Sequence, residues 1–259
     1  MRSFSFFIMV AMTLGLKAYS QEQQKILVDQ YPFEKYKAIK YKSYNDWKTV
    51  DIKNSENKVQ NTITIPGVFD NNDSLTIQLT SYQDHWWTNS VIQLSRNNNL
   101  IQKIDEDIAF EPVDIDSIWV ADINGDGLQD IKLVISYLEN GPAAMDADVI
   151  YLFQRPDHKF IKISYSDKMD GNRPERDFAG DGSFEIITMN IIELENKNYL
   201  LFNLYKYKNE KLVNVNSKYN YPEMMQYFYR DNFEIPKKIS RQTVKGLALT
   251  LPVDYDRKK

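Results

Sequence analysis

Short runs in which apolar and polar residues alternate dominate the chain from Thr62 onward. The runs are "LTIQLT", "VIQLS", "DIKLVIS", "VIYLFQ", "KFIKIS", "EIITMNI" and "YLLFNLYKY", and polar clusters such as "SRNNN", "RPDHK" and "YKNEK" separate them. A period of two predicts β-strands. Only "FEKYKAIKYKSYNDW" near the start and "YPEMMQYFYRD" near the end are candidates for helices. We therefore expect a mainly β protein with few helices.

The runs recur as a repeated unit. When Thr76, Asp130 and Glu185 are aligned, they lie 54 and 55 residues apart, and the strands that follow are "IQLTSY", "IKLVISY" and "IITMNII". Each strand precedes a polar loop and then a hairpin, so a unit has about four antiparallel strands, the size of one propeller blade. Such small sheets must stack on their neighbours. A partial propeller-like array, a sandwich of sheets, and a fourth divergent unit from the termini all remain open.

The segment "DINGDGLQDI", residues 122–131, carries a dense set of oxygen donors. Positions 1, 3, 5 and 9 are Asp122, Asn124, Asp126 and Asp130, and Leu128 offers its carbonyl at position 7. Oxygen ligands suit a hard cation such as Ca²⁺, and the two glycines allow a tight turn. A divalent ion would also reduce the repulsion among three carboxylates. The sequence therefore predicts a calcium-binding loop here.

An EF-hand is excluded because its position 12 needs a bidentate Glu, whereas this loop has Leu133 there, within a strand pattern. "DINGDGLQDI" followed by a strand resembles the calcium loop of FG-GAP and VCBS-type repeats, as in integrin-like propellers and many secreted bacterial proteins. The resemblance covers roughly residues 62–215 and rests on strand pattern alone outside the loops. It implies a repeated β fold with Ca²⁺ as the cofactor.

The other two units carry altered copies of this loop. In "DFAGDGSFEI", positions 1, 5, 7 and 9 are Asp177, Asp181, Ser183 and Glu185. Ala179 stands at position 3, so a water would have to replace one ligand, and we still expect this loop to bind the ion. In "VFDNNDSLTI", Val68 and Thr76 replace the carboxylates of positions 1 and 9. We interpret that copy as a unit that kept its shape and lost its ion.

The first 20 residues are typical of a secretory signal peptide. Arg2 precedes the apolar run "FSFFIMVAMTLGL", and Ala18 and Ser20 occupy the −3 and −1 positions of a cleavage site. The apolar run is shorter than the ~20 residues that a membrane anchor needs. We therefore expect a periplasmic or secreted protein that begins near Gln21, with an N-terminal segment 21–61, repeats over 62–215 and a C-terminal extension 216–259 packed on the repeats.

Composition narrows the function classes. The formal charge of −4 becomes −6 when Arg2 and Lys17 are removed, and this acidic balance does not favour nucleic-acid binding. The chain has no cysteine, which excludes disulfides, a thiol nucleophile and a lipidated cysteine. A bound metal could stabilise such a secreted chain in place of disulfides. Paired carboxylates can hydrolyse glycosides, but a carboxylate held by Ca²⁺ is poorly placed to exchange protons. We interpret His158, which lies in the turn "RPDHK", as a solvated turn residue. We therefore expect a non-catalytic protein.

A partner-binding face is expected at the loops between the second and third strands of each unit. The residues expected to contact a partner are His85, Trp86, Trp87, Glu139, Asp146 and Asp148. Adjacent tryptophans cannot both point inward on a regular strand, although both could instead close the core at a sheet end. The expected function is a calcium-binding interaction module. The alternatives are a periplasmic inhibitor of a cell-wall lytic enzyme such as lysozyme, and a protein that binds or hydrolyses carbohydrate.

Overall fold

The computed structural model describes residues 31–52, 58–70, 72–82, 90–108, 115–136, 141–169, 171–226 and 239–256, and it divides into two compact units, residues 1–37 and 38–259. The described part of the first unit is a turn in which the amides of Glu34 and Tyr36 donate to the carbonyls of Tyr31 and Phe33. A two-residue strand, β1 (Lys37–Ala38), follows it. All sheets discussed below belong to the second unit.

Among the described residues, three antiparallel sheets of four or five strands make up most of the second unit. Sheet 1 has the order β3 (Lys48–Ile52), β4 (Lys58–Pro66), β5 (Ser74–Tyr82), β6 (Ser90–Arg96) and β7 (Asn99–Glu106). Sheet 2 has the order β11 (Phe160–Lys168), β10 (Asp146–Gln154), β9 (Asp130–Ser136), β8 (Ile115–Ala121) and β2 (Lys42–Tyr44). In sheet 3, β14 (Lys197–Lys208) pairs with β13 (Ile186–Leu194), β15 (Lys211–Asn214) and β16 (Glu223–Gln226). The prediction of a mainly β fold built from small antiparallel sheets is confirmed.

The remaining elements are short. They are a two-residue strand β12 (Arg176–Asp177), 3₁₀ turns at Gly141–Met145 and Asn216–Lys218, and one helix among the described residues, α1 (Arg241–Gly246). Ser240 caps α1 by accepting the amide of Thr243. No helix in the described ranges is long and apolar enough to cross a membrane.

Two tight hairpin turns have positive φ at both central residues. Asn97 and Asn98 have φ of 47° and 66° and join β6 to β7, and Glu195 and Asn196 have φ of 51° and 58° and join β13 to β14. Positive φ at both central residues defines the type I′ turn, whose twist matches that of paired strands. The loop between the second and third strands of the third unit, which was expected to lie on the partner-binding face, is therefore only a two-residue turn.

The sheets stack face to face, with sheet 2 in the middle. One cluster joins sheet 1 to sheet 2 and includes Ile77, Leu94, Leu133 and Leu152. A second cluster joins the opposite face of sheet 2 to sheet 3 and includes Val149, Phe153, Ile186 and Tyr205. Strand β9 contributes Leu133 to the first cluster and Val134 to the second, because neighbouring strand residues point to opposite faces.

The two ends of the stack differ. The outward face of sheet 1 carries uncharged polar residues that are partly or fully exposed, namely Thr62, Thr64, Thr76, Gln78, Gln93 and Ser95. In sheet 3, Leu200, Phe202 and Leu204 alternate with the residues that face sheet 2, and they are buried as well. Sheet 1 therefore ends the stack with a polar surface, whereas sheet 3 is covered on both faces.

Described residues of the C-terminal extension lie along sheets 2 and 3. The Ser166 amide donates to the carbonyl of Val253 at 2.9 Å, and the Asp256 amide donates to Ser164 at 2.8 Å. The hydroxyl of Tyr205 donates to the carbonyl of Leu249 at 3.0 Å. These bonds place residues 249–256 against strand β11 and next to β14.

Both segments considered as helices are wrong in their described parts. The first contains β2, which pairs with β8, while Tyr41, Tyr44 and Trp47 pack on the two cores. In the second, Glu223–Gln226 forms β16 against β14, and residues 227–231 lie outside the described ranges. In each case, burial of aromatic or apolar side chains against a sheet outweighs a weak local preference for helix.

Candidate cation loops

The loop of the second unit, residues 122–130, is held together by its own acidic and amide side chains. Asp122 accepts the amides of Gly125 (2.8 Å) and Asp126 (3.1 Å) on one carboxylate oxygen and that of Gly127 (2.9 Å) on the other. Asn124 Oδ1 accepts the Asp126 amide at 2.9 Å, and Asn124 Nδ2 donates to Asp126 Oδ2 at 2.9 Å. Asp126 Oδ1 accepts the Leu128 amide at 2.9 Å. The side chains at positions 1, 3 and 5 therefore converge on one turn.

Asp130, at position 9, accepts hydrogen bonds both from the loop and from the neighbouring strand β10. One carboxylate oxygen accepts the amides of Ile123 (3.0 Å) and Asn124 (3.3 Å), and the other accepts the Gln154 amide at 2.9 Å. The side chain has no exposed surface. Burial raises the pKa of Asp130 to about 7, against the lowering effect of the Gln154 and Ile123 amides. This carboxylate joins the start of the loop to the end of β10.

The loop of the third unit, residues 177–185, repeats this hydrogen-bond pattern at positions 1, 5 and 9. Asp177 accepts the amides of Gly180 (2.6 Å), Asp181 (3.1 Å) and Gly182 (3.1 Å). Asp181 accepts the Ser183 amide at 3.0 Å. At position 9, Glu185 accepts the Phe178 amide at 3.0 Å, as Asp130 accepts that of Ile123. The two loops therefore have the same local structure although position 3 differs.

The two loops lie against each other. The Phe184 amide donates to the carbonyl of Ile123 at 2.9 Å. A methyl group placed on Gly125 would lie 3.1 Å from Ser183 Cβ and 3.3 Å from the Gly182 carbonyl oxygen. Gly125 also has a φ of +79°, which glycine adopts at little cost. Glycine at position 4 of the second-unit loop is therefore needed for both its backbone and its neighbour.

The donor set of the second-unit loop fits a hard cation by chemistry. An ionised carboxylate offers about four lone-pair sites, and Asp122 and Asp130 each accept three hydrogen bonds here, while Asp126 accepts two. Each therefore keeps acceptor capacity. Within the described ranges, no three His, Cys, Asp or Glu side chains are arranged as a ready metal site. The assignment of metal ligands in both loops stays a prediction.

Basic side chains neutralise the loops of the first and third units. In the first unit, Arg96 Nε donates to Asp73 Oδ2 at 2.7 Å, and Arg96 Nη2 lies 3.6 Å from Asp70. Hydrogen bonds from Asn97 and Arg96 lower the pKa of Asp73. The Arg96 guanidinium thus supplies the positive charge in the copy that we interpret as having lost its ion.

In the third unit, the cation is Lys206. Its ammonium group lies 3.3 Å from Asp181 Oδ2 and 3.6 Å from Glu185 Oε1. The Ser183 amide and, to a smaller extent, Lys206 lower the pKa of Asp181. The hydroxyl of Tyr219 also donates to Glu185 Oε1 at 2.9 Å. Asp181 therefore already has a partner on β14, namely Lys206. Glu185 has two partners, Lys206 and Tyr219.

The second-unit loop differs in this respect. Among the described residues, no Lys or Arg forms an ion pair with Asp122, Asp126 or Asp130. The end of β10 instead places Gln154 beside the loop, where its Oε1 accepts the Gln129 amide at 3.1 Å. Three carboxylates thus share this loop with neutral partners only.

Sequence reasoning missed these basic residues. Arg96 and Gln154 hold equivalent positions, two residues after the strand partners of Ile77 and Ile131, whereas Lys206 comes one residue after the partner of Ile186. An alignment of the repeats therefore does not place Lys206 opposite Arg96. Tyr219 comes from the extension after the repeats and has no counterpart in the alignment either.

The predicted partner face is only partly described. His85, Trp86, Trp87 and Glu139 lie outside the described residues. Asp146 begins β10 and pairs with Lys168. Asp148 is not in the loop as expected but inside β10, where it is buried and accepts the Ser166 hydroxyl at 2.8 Å. His158 lies in the β10–β11 turn with its ring 5.3 Å from that of Phe69.

Comparison with known proteins adds no assignment, since no protein-family model, curated protein or solved structure matches the chain. The resemblance to FG-GAP and VCBS-type repeats therefore stays a prediction that rests on the loop residues.

Proposed function

We propose that this protein is a non-catalytic, calcium-binding β-repeat module of the FG-GAP/VCBS-like kind, which acts outside the cytoplasm by binding a partner. One observation carries the calcium part. The second-unit loop has three carboxylates and no basic partner among the described residues, whereas the loops on either side have Arg96 and Lys206. A divalent cation would balance this charge.

The residues that would hold the ion are Asp122, Asn124 and Asp126 with the carbonyl of Leu128, and Asp130 below them. All are oxygen donors, which Ca²⁺ prefers. The loop amides already hold Asp122 and Asp130 in place, so binding requires little ordering of the ligands. The ion would stiffen the connection between β8 and β9, in the middle sheet of the stack.

Thermal unfolding in calcium and in chelator tests this proposal. Extracellular calcium modules have a Kd of about 10⁻⁴–10⁻³ M, and a ligand at 100 times its Kd stabilises a protein by about 2.7 kcal/mol. We expect the melting temperature to rise with about 10 mM Ca²⁺, and Asp126→Asn to remove most of the rise. Asp46, an exposed carboxylate of the same protein, is the matched control: Asp46→Asn should keep the full response.

The chain also allows a residue-specific measurement. It has only nine glycines, and Gly125 and Gly127 lie in the proposed site. In protein labelled with ¹⁵N-glycine, the amide resonances of these two residues should shift with a saturable dependence on Ca²⁺. Identical melting temperatures in calcium and chelator, together with unmoved Gly125 and Gly127 signals, would refute the proposal.

A further inference from the structure

The loop of the third unit shares the amide hydrogen bonds accepted at positions 1, 5 and 9 with that of the second unit, yet a charged residue, Lys206, lies beside it. Lys206 belongs to β14 and follows Tyr205, whose strand partner Ile186 comes directly after Glu185 in the chain. Its side chain is 25% exposed, whereas that of Glu185 has no exposed surface. The ammonium group is therefore anchored by a strand and directed at a buried carboxylate.

The position of the ammonium group conflicts with a divalent ion. Lys206 Nζ lies within 4 Å of both Asp181 and Glu185, the residues at positions 5 and 9 of the loop. A calcium ion bound by the same two carboxylates would lie close to the ammonium, and two like charges in a partly buried site repel strongly. Tyr219 donates a further hydrogen bond to Glu185, which reduces the number of free oxygens.

We infer that Lys206 determines which loop of the repeats binds Ca²⁺. Its ammonium group is the resident cation of the third-unit loop and keeps Ca²⁺ out of it. The inference deepens the proposed function and rests on it in one respect, namely that loops of this kind accept Ca²⁺ when no basic side chain neutralises them. Wild-type protein should then bind one ion, in the second-unit loop, although the sequence contains two similar loops.

The test follows the glycine amide resonances in a variant whose second-unit loop lacks a proposed Ca²⁺ ligand. Because Gly125 lies against Gly182 and Ser183, ion binding in one loop would disturb signals of the other. Full-length protein with Asp126→Asn removes this cross-talk. CaCl₂ is then titrated into three proteins labelled with ¹⁵N-glycine, which carry Asp126→Asn alone, Asp126→Asn with Lys206→Gln, and Asp126→Asn with Lys208→Gln.

Only the variant with Lys206→Gln should show saturable shifts of Gly180 and Gly182. Lys208 is exposed on the same strand and the same side as Lys206, so Lys208→Gln controls for the loss of one positive charge. Shifts of Gly180 and Gly182 with Lys206 intact would overturn the inference, and so would unmoved signals after Lys206→Gln. If the double variant does not fold in chelator, recovery of its folded spectrum by CaCl₂ but not by NaCl at equal ionic strength supports the inference, and no recovery overturns it.

Failure of the proposed function gives a different result. If Gly125 and Gly127 do not respond to Ca²⁺ in wild-type protein, the second-unit loop is not the site. The double variant is still informative in that case, because Gly180 and Gly182 report on the third-unit loop directly.

Discussion

The ammonium group of Lys132 lies 2.8 Å from a carboxylate oxygen of Glu175, and each side chain is only 1% exposed. Lys132 comes two residues after the second-unit loop, and Glu175 comes two residues before the third-unit loop. The hydroxyls of Tyr41 and Tyr151 also donate to Glu175, and Lys132 donates to the carbonyl of Arg173 at 2.7 Å. This buried network connects the strand that follows the second-unit loop to the segment that precedes the third-unit loop.

Replacing Lys132 with Met should strongly destabilise the protein. Removing one partner of a buried ion pair leaves the other charge uncompensated, which costs about 3–5 kcal/mol. The free energy of unfolding in urea measures this loss. Lys208→Met, an exposed change of the same type, should stay within about 0.5 kcal/mol of wild type. Equal effects of the two substitutions would show that the pair does not stabilise the fold.

The contact between the two loops can be measured with a pair of glycine substitutions. Gly125 and Gly127 have φ of +79° and +87°, so alanine is strained at either position, by about 1–2 kcal/mol. Only at Gly125 would the added methyl also meet the neighbouring loop, at 3.1 Å from Ser183 Cβ, whereas no atom lies within 4 Å at Gly127. We therefore expect Gly125→Ala to be more destabilising than Gly127→Ala when both are unfolded in chelator. A smaller loss for Gly125→Ala would contradict the packing of the two loops.

The contribution of Asp256 to stability should fall as the pH rises. Burial raises its pKa above 3.8, and the Ser164 amide and Lys162 oppose this only in part. A carboxyl whose pKa is raised by folding binds its proton more tightly in the folded state. Its favourable contribution is complete below the unfolded pKa and is lost as the pH rises through the folded pKa.

The measurement compares wild type with Asp256→Asn, which does not titrate. The free energy of unfolding of the variant, minus that of wild type, should increase as the pH rises from below the unfolded pKa of an Asp, about 3.9, through the folded pKa. Asp46→Asn, at an exposed site, provides the baseline for a carboxylate that folding does not bury. A difference that decreases with pH would show that the Ser164 and Lys162 contacts outweigh burial.

Strands and loops of the repeats could be predicted because their signals are local. In the strand "DIKLVIS", the neighbours Leu133 and Val134 face different layers, as alternation along a strand requires. The spacing of Asp122, Asn124 and Asp126 brings their side chains to one turn. The register of Asp130 and Glu185 likewise predicted two loops of one kind, and each of these side chains accepts the amide of the residue after position 1.

What could not be predicted depends on contacts between distant residues. The ion pair of Lys206 with Asp181 spans 25 residues, and the bond from Tyr41 to Glu175 spans 134. No local pattern encodes such partners. The segment around Tyr41 and Tyr44 was misassigned for the same reason, since its strand exists only because β8 offers an edge for pairing.

The unequal ends of the stack limit how such an array could grow. A further unit added beside sheet 1 would have to cover Thr62, Gln78 and Gln93, whose amide and hydroxyl groups would lose water without gaining partners. At the other end, sheet 3 is already covered. Within the described part of the chain, a duplicated unit inserted between existing sheets would meet apolar neighbours on both of its faces.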